Sequence, residues 1–367
     1  MSDHVNACVK RLLLAFGLLV AWSGAGAQEV PAASPSPPET PPQQSVPSDS
    51  PAAPSSQGLQ ESLLIVSSKE GAGSGFIARM NDSNFLITNA HVIAGASRLQ
   101  MKLLSGQTVT PGKGRLAVDH DLAAFEAGNV PLSLEIATDV GKQVAIGDEV
   151  VIYGNSLGAS VVTELRGKVT GIGPNEIEVD APFVPGNSGS PIIHLKTGKV
   201  IGIASYIRTK KGDEFTKDSG IKEMRRFGYR LDTISQWQEL NWPVFQREAA
   251  LVQGVEEFTD DYDAFWQYVE KKKPSAFELG SRNHRLQRHI RDFQGAINRK
   301  IGDADFQKAL TSFLKGLRNE SQQEFLPGRP APQYWFLQKK WSEQKEIREE
   351  ISKDLTQDIQ DRQTRAN

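Results

Sequence analysis

The sequence predicts an all-β, barrel-type domain followed by an α-helical C-terminal region. Two observations carry that class. From 63 to 231 short apolar or alternating runs recur between Gly, Asn and Pro turns, the spacing of barrels rather than of βαβ units. Beyond Trp242-Pro243 apolar residues recur at three- and four-residue spacings with charges between them, the pattern of amphipathic helices.

Taken in order, the chain of 367 residues begins with Lys10-Arg11, an apolar run from Leu12 to Trp22 and the small-residue string Ala25-Gly26-Ala27. This reads as a signal peptide over 1–27, cleaved before Gln28, since a run of about 11 residues is too short to span a bilayer. The single cysteine, Cys8, precedes the apolar run and is not placed as a lipid-attachment site. The exported chain would then hold no disulfide and draw its stability from core burial. Residues 28–58 are almost all Pro, Ser, Ala, Gln and Thr, too poor in apolar side chains for a core, and read as a disordered linker.

The barrel-type domain is expected over 59–242. Its strands are expected at 63–66, 75–79, 85–88, 99–104, 122–126, 150–153, 161–165, 169–172, 177–179, 191–194, 200–205 and 227–231. Turns such as Ser105-Gly106, Gly173-Pro174-Asn175 and Thr197-Gly198 separate them. The stretch 207–226, rich in Lys, Asp, Glu and Arg, is the one long irregular segment. A helix is expected to begin near Asp232-Thr233-Ile234 and close the domain.

The region 243–367 predicts helices at 244–252, 259–271, 284–300, 303–317 and 341–360, with Thr259 and Asp303 as N-caps and breaks at Lys273-Pro274 and 327–332. The last helix has sparse apolar positions, Ile347, Ile351, Leu355 and Ile359, among many Glu and Lys. It reads as solvent-facing or partner-seeking, a surface through which copies or a partner would associate. The net charge of -2 and pI near 6.4 give no electrostatic case for nucleic acid as a partner.

Three strings carry chemistry. In Val184-Pro185-Gly186-Asn187-Ser188-Gly189-Ser190-Pro191 a serine sits between glycines after an apolar run. Small neighbours admit a carbonyl, and the Gly186 and Ser188 amides, with Asn187 between them, form the expected oxyanion hole. A serine hydroxyl needs a base, and His91, in Thr88-Asn89-Ala90-His91-Val92-Ile93, supplies an imidazole that titrates near neutrality. Asp121, in Asp119-His120-Asp121-Leu122-Ala123, would fix its tautomer; Asp119 competes for that role because on a strand it would point to the same side. His120, His194, His284 and His289 lack such context and read as structural or surface residues.

His91, Asp121 and Ser188 in these strings, with Gly73-Ser74-Gly75-Phe76-Ile77, Gly147-Asp148-Glu149-Val150 and Tyr153-Gly154-Asn155, resemble the trypsin-like (chymotrypsin-fold) serine peptidases, and most closely their bacterial HtrA-like branch. The resemblance covers 63–234 and does not extend to a PDZ module. It implies two packed six-stranded barrels, with His91 and Asp121 from the first, Ser188 from the second, and the site in the cleft. It implies a serine endopeptidase acting on unfolded or extended polypeptides through an acyl-enzyme, with no metal or cofactor, in a Gram-negative periplasm. It also implies a side-chain pocket between Pro182-Phe183 and Ile203-Ala204-Ser205. Neither segment carries an acid, and Phe183 and Ile203 would narrow the pocket, so Val or Ala is expected there. The competing expectation is a catalytically silent protease fold that binds through the cleft and the helical region.

Overall fold

A computed structural model describes residues 56–209, 224–271, 293, 303–325 and 330–366, apart from 70, 97, 129 and 131. The expected signal peptide, the linker up to 55, positions 210–223 of the irregular stretch and nearly all of the helix expected at 284–300 lie outside them, as do His284 and His289.

The chain runs α1 (Ser56–Ser62), β1 (Leu63–Ser67), β2 (Ala72–Met80), β3 (Ser83–Thr88), α2 (Ala90–Ile93), β4 (Gln100–Leu103), β5 (Thr108–Val109), β6 (Gly114–Ala117), β7 (Ala123–Glu126) and β8 (Leu134–Glu135). Then come α3 (Val140–Gln143), β9 (Glu149–Gly154), a single helical turn Ser156–Gly158, β10 (Thr163–Ile172), β11 (Glu176–Val179), β12 (Pro191–His194), β13 (Lys199–Thr209), β14 (Met224–Arg230) and β15 (Trp237–Glu239). The helices α4 (Trp242–Lys271), α5 (Asp303–Phe325), α6 (Trp335–Glu343) and α7 (Lys345–Ala366) follow.

The second half closes as a six-stranded barrel, β9-β10-β11-β14-β13-β12. The first half is a nine-stranded sheet ordered β15-β6-β7-β3-β2-β1-β4-β5, with β8 alongside β2. Its end strand β5 has two residues and is followed by Pro111, which has no N–H to extend a ladder. The β2–β3 hairpin turns on Asn81 and Asp82, at φ 47° and 61°, two residues that tolerate the left-handed region such a tight turn needs.

Strand alternation divides the first sheet between two cores. Leu63, Phe76, Phe85 and Ile87 face Val151, Tyr153, Ile193 and Tyr229 of the barrel. Their neighbours Leu64, Val66, Ile77 and Leu86 point the other way and share one cluster with Phe245, Phe258, Leu314, Leu337, Leu355 and Ile359 of the helices. The sheet is therefore a middle layer, buried by the barrel on one face and by the helices on the other.

Several sequence expectations are corrected. The runs at 161–165 and 169–172 belong to one strand, β10. No helix begins at Asp232: its carboxylate binds the Arg230 guanidinium at 3.0 and 2.7 Å and accepts the Val140 N–H at 2.9 Å. That pins a turn from which β15 returns to pair with β6. Thr259 is no N-cap, because α4 runs unbroken from Trp242 and the Thr259 hydroxyl donates to the Val255 carbonyl at 2.8 Å. The last helix faces inward: Ile351, Leu355 and Ile359 are buried in the shared core, so its apolar stripe is already used within the chain.

Candidate active site

β3 delivers His91 by ending at Thr88 and passing through Asn89 into the short α2. The buried Asn89 side chain donates to the Asp121 carbonyl at 2.7 Å, tying the end of β3 to the loop before β7. In that loop Asp119 adopts φ 66° and is exposed, so it does not share the side of Asp121 and drops out as the acid.

Asp121 Oδ2 accepts His91 Nδ1 at 2.5 Å and the Ser205 hydroxyl at 2.9 Å, while Oδ1 accepts the His91 backbone N–H at 3.0 Å. A carboxylate only accepts, so Nδ1 carries a proton, and in the neutral ring the lone pair then lies on Nε2. Burial alone would push the Asp121 carboxyl up. The His91 charge and hydrogen bonds, with the Ser205 hydroxyl, outweigh it and hold the carboxyl below its ordinary range. The His91 side chain is 24% exposed, and the Phe336 ring of α6 stands beside it with centroids 6.5 Å apart.

Ser188 lies in a turn bounded by Gly186 and Gly189, at φ 93° and 92°. A Cβ on Gly189 would fall 1.9 Å from the Ser74 carbonyl, so the position admits only glycine. Ser74 is the pin of this turn. Its hydroxyl donates to the Gly186 carbonyl at 2.8 Å and accepts the Asn155 N–H at 2.8 Å, and its own N–H donates to the Ser188 carbonyl at 2.8 Å. The Pro185 carbonyl is drawn away to the Leu157 N–H at 2.8 Å. Among the described residues the Gly186 and Ser188 N–H groups donate to nothing and are left for a ligand oxygen.

Asn187, expected as part of the oxyanion hole, has another task. Its N–H donates to the Val184 carbonyl at 3.0 Å, and its fully buried side chain binds the Val184 N–H and the Ser156 hydroxyl, framing the turn from behind. The Ser188 hydroxyl donates to the Ser205 carbonyl at 3.3 Å, and must turn from it to reach His91. His120 is buried between the Val118 carbonyl and the Thr233 hydroxyl, and His194 between Thr197 and Asp148.

The expected pocket residues are corrected. Pro182 is exposed, but Phe183, Ile203 and Ala204 are core side chains with no open surface. The Ala204 backbone already pairs with Gly189 and Ser190. Ser205 is spent on Asp121. Among the described residues the stretch of β13 from Ser205 to Thr209 has β14 as its only strand neighbour, which leaves its other edge open. Asn89 and Ser74 were missed as site residues, although each stood inside a quoted string, 88–93 and 73–77. Among the described residues no group of three His, Cys, Asp or Glu side chains is placed to hold a metal ion.

Residues 73–203 match the sequence model of the trypsin-like peptidase domain. The chain is 32% identical over 148 residues to the serine protease Do-like HtrB of Bacillus subtilis, covering 36% of this chain and 32% of that one. It is 33% identical over 155 residues to a probable periplasmic serine endoprotease, DegP-like, of Hahella chejuensis, covering 39% and 31%. The serine endoprotease from Yersinia pestis, a solved structure, aligns with a TM-score of 0.36 at 23% identity, over 47% of this chain and 60% of that one. The chain spans about a third of the length of the two curated relatives.

Proposed function

On the premise that residues 73–203 make up a trypsin-like peptidase domain, we propose that the chain is an exported serine endopeptidase. Ser188 attacks the scissile carbonyl, and His91 Nε2 takes its proton and later gives it to the leaving amine. Asp121 holds the imidazole in the tautomer this requires and stabilises the imidazolium. The free Gly186 and Ser188 N–H groups receive the oxyanion. An extended polypeptide lies along the open edge of β13 from Ser205 to Thr209 as an added strand, which suits a substrate that is unfolded.

The observation that carries this reading is the buried Asp121 carboxylate. It is satisfied by His91 through both ring and backbone and by Ser205, while Ser205 also accepts the Ser188 hydroxyl. A carboxylate buried only for structure has no need to orient an imidazole next to a glycine-bounded serine.

The test is fluorophosphonate labelling of the mature protein beside a Ser188→Ala control, followed by digestion of unfolded casein. Labelling confined to the wild type, with casein cleavage, is expected. Absence of both would leave a protease fold that only binds. Export is supported by the signal-like string ending at Ala27 and by a relative named as periplasmic. N-terminal sequencing of protein recovered from a Gram-negative periplasm is expected to begin at Gln28.

A further inference from the structure

β14 carries an arginine where a barrel interior calls for an apolar residue. A Cβ on Gly228 would meet the Ile192 side chain at 2.4 Å, so that position faces inward, and Arg226, two residues earlier, shares its face. Only 4% of Arg226 is exposed. Its Nε donates to the Phe183 carbonyl at 2.9 Å, its Nη2 lies 4.0 Å from the Met224 sulfur, and its Nη1 is buried without any partner. Asp180 acts on it from a distance, but that carboxylate accepts the Lys168 N–H at 2.6 Å, and Arg226 forms no ion pair with any described residue. A buried guanidinium with an idle donor and no carboxylate is strongly unfavourable until an anion reaches it.

Its place in the fold says which anion. The Ser188 hydroxyl rests on the Ser205 carbonyl, and Ile207, two residues or about 7 Å further along β13, is the cross-strand partner of Arg226. Across from β13 lies the segment from Pro182 to Pro185 that leads into the serine turn, and the guanidinium already holds its Phe183 carbonyl. Pro182 and Pro185 are exposed and Val184 is half-buried, so this segment faces solvent. Nucleophile and guanidinium thus stand at the two ends of one seam.

We propose that Arg226 forms the floor of the primary specificity pocket and that the enzyme cleaves after residues whose side chain ends in a carboxylate, glutamate or aspartate. The proposal rests on the serine-peptidase reading and names its substrate class. A carboxylate entering between β13 and the 182–185 wall receives the idle Nη1–H and neutralises the charge. A valine or alanine side chain leaves both unsatisfied. The preference for small aliphatic residues, expected from Phe183 and Ile203, loses its basis once both side chains are core.

The experiment uses the full mature chain and peptides that differ only at the residue before the scissile bond: Glu, Asp, Val, Ala and Arg. The wild type is expected to favour Glu or Asp over Val by about a hundredfold in kcat/KM. Arg226→Gln should abolish that ratio, and because the ratio is internal to each variant, a fraction of misfolded protein does not distort it. Arg226→Lys keeps the charge without the planar fork and should retain part of the preference, which preserves the test if the Gln variant fails to fold. A wild type that prefers Val or Ala, or an Arg226→Gln protein with the wild-type ratio, overturns the proposal while fluorophosphonate labelling leaves the peptidase reading intact. No labelling and no cleavage of any peptide would sink both.

Discussion

Ser205 touches both Asp121 and Ser188: its hydroxyl donates to Asp121 at 2.9 Å and its carbonyl accepts the Ser188 hydroxyl at 3.3 Å. Ser205→Ala removes the first contact and leaves the second. One donor to a buried carboxylate is worth about 1.5–3 kcal/mol, and without it the acid orients His91 less firmly. The rate of fluorophosphonate labelling is expected to fall about tenfold, with urea unfolding reporting how much of the loss is stability. An unchanged labelling rate would make the bond incidental.

Phe336 brings the helical region to His91, with ring centroids 6.5 Å apart. Phe336→Ala opens space beside the imidazole and lets it leave Asp121, so kcat is expected to fall several-fold while KM stays near its wild-type value. Trp341→Ala, on the same helix, removes another buried ring and serves as the comparison. If both variants lose only stability, Phe336 is packing and nothing more.

His120 is held below its ordinary pKa by burial, which outweighs the raising influence of the Val118 carbonyl and of Asp119, Asp232 and Glu176. The unfolded chain takes up this proton near pH ~6.5. The folded chain takes it up only at lower pH. The stability linked to neutral His120 is therefore complete above that pH and is lost as pH falls from it toward the folded value. Urea midpoints measured from pH 7.5 to 5 should decline more steeply in the wild type than in His120→Gln. Parallel slopes would remove His120 as the cause.

Leu355 is fully buried in the cluster that joins α7 to Leu64, Val66 and Ile77 of the first sheet. Leu355→Ala is expected to cost about 2–5 kcal/mol and to lower the melting of strand and helix signals together. A chain ending at Trp242 should fail to hold the first sheet. Two separate transitions, with only the helical one displaced, would show that the regions fold apart.

The strings that hold His91, Asp121 and Ser188 were legible because each is local: a histidine just after β3, an acid just before β7 and a serine between glycines need only neighbouring residues to be recognised. Contacts spanning many residues were not. Ser74 meets Gly186 across 112 positions and Asn89 meets Ser205 across 116, and no spacing rule links such pairs. The helical periodicity was readable in Ile351, Leu355 and Ile359, but periodicity reports an apolar stripe and not what covers it, so a face packed inside the chain was taken for one seeking a partner. The two-residue strands β5 and β8 are too short for alternation to register. Arg226 lay in a charged stretch where nothing local marked it as buried.

The middle position of the first sheet also orders events in time. A chain made from its N-terminus has Leu64, Val66 and Ile77 in hand long before Leu355 and Ile359 are available to cover them. Closing contacts over such separations is slow. Until they close, one face of the strands that carry His91 stays wet. On the proposed peptidase reading, hydrolytic competence would then be acquired last, after synthesis of the whole polypeptide, and a nascent or broken copy would be spared from cutting its surroundings.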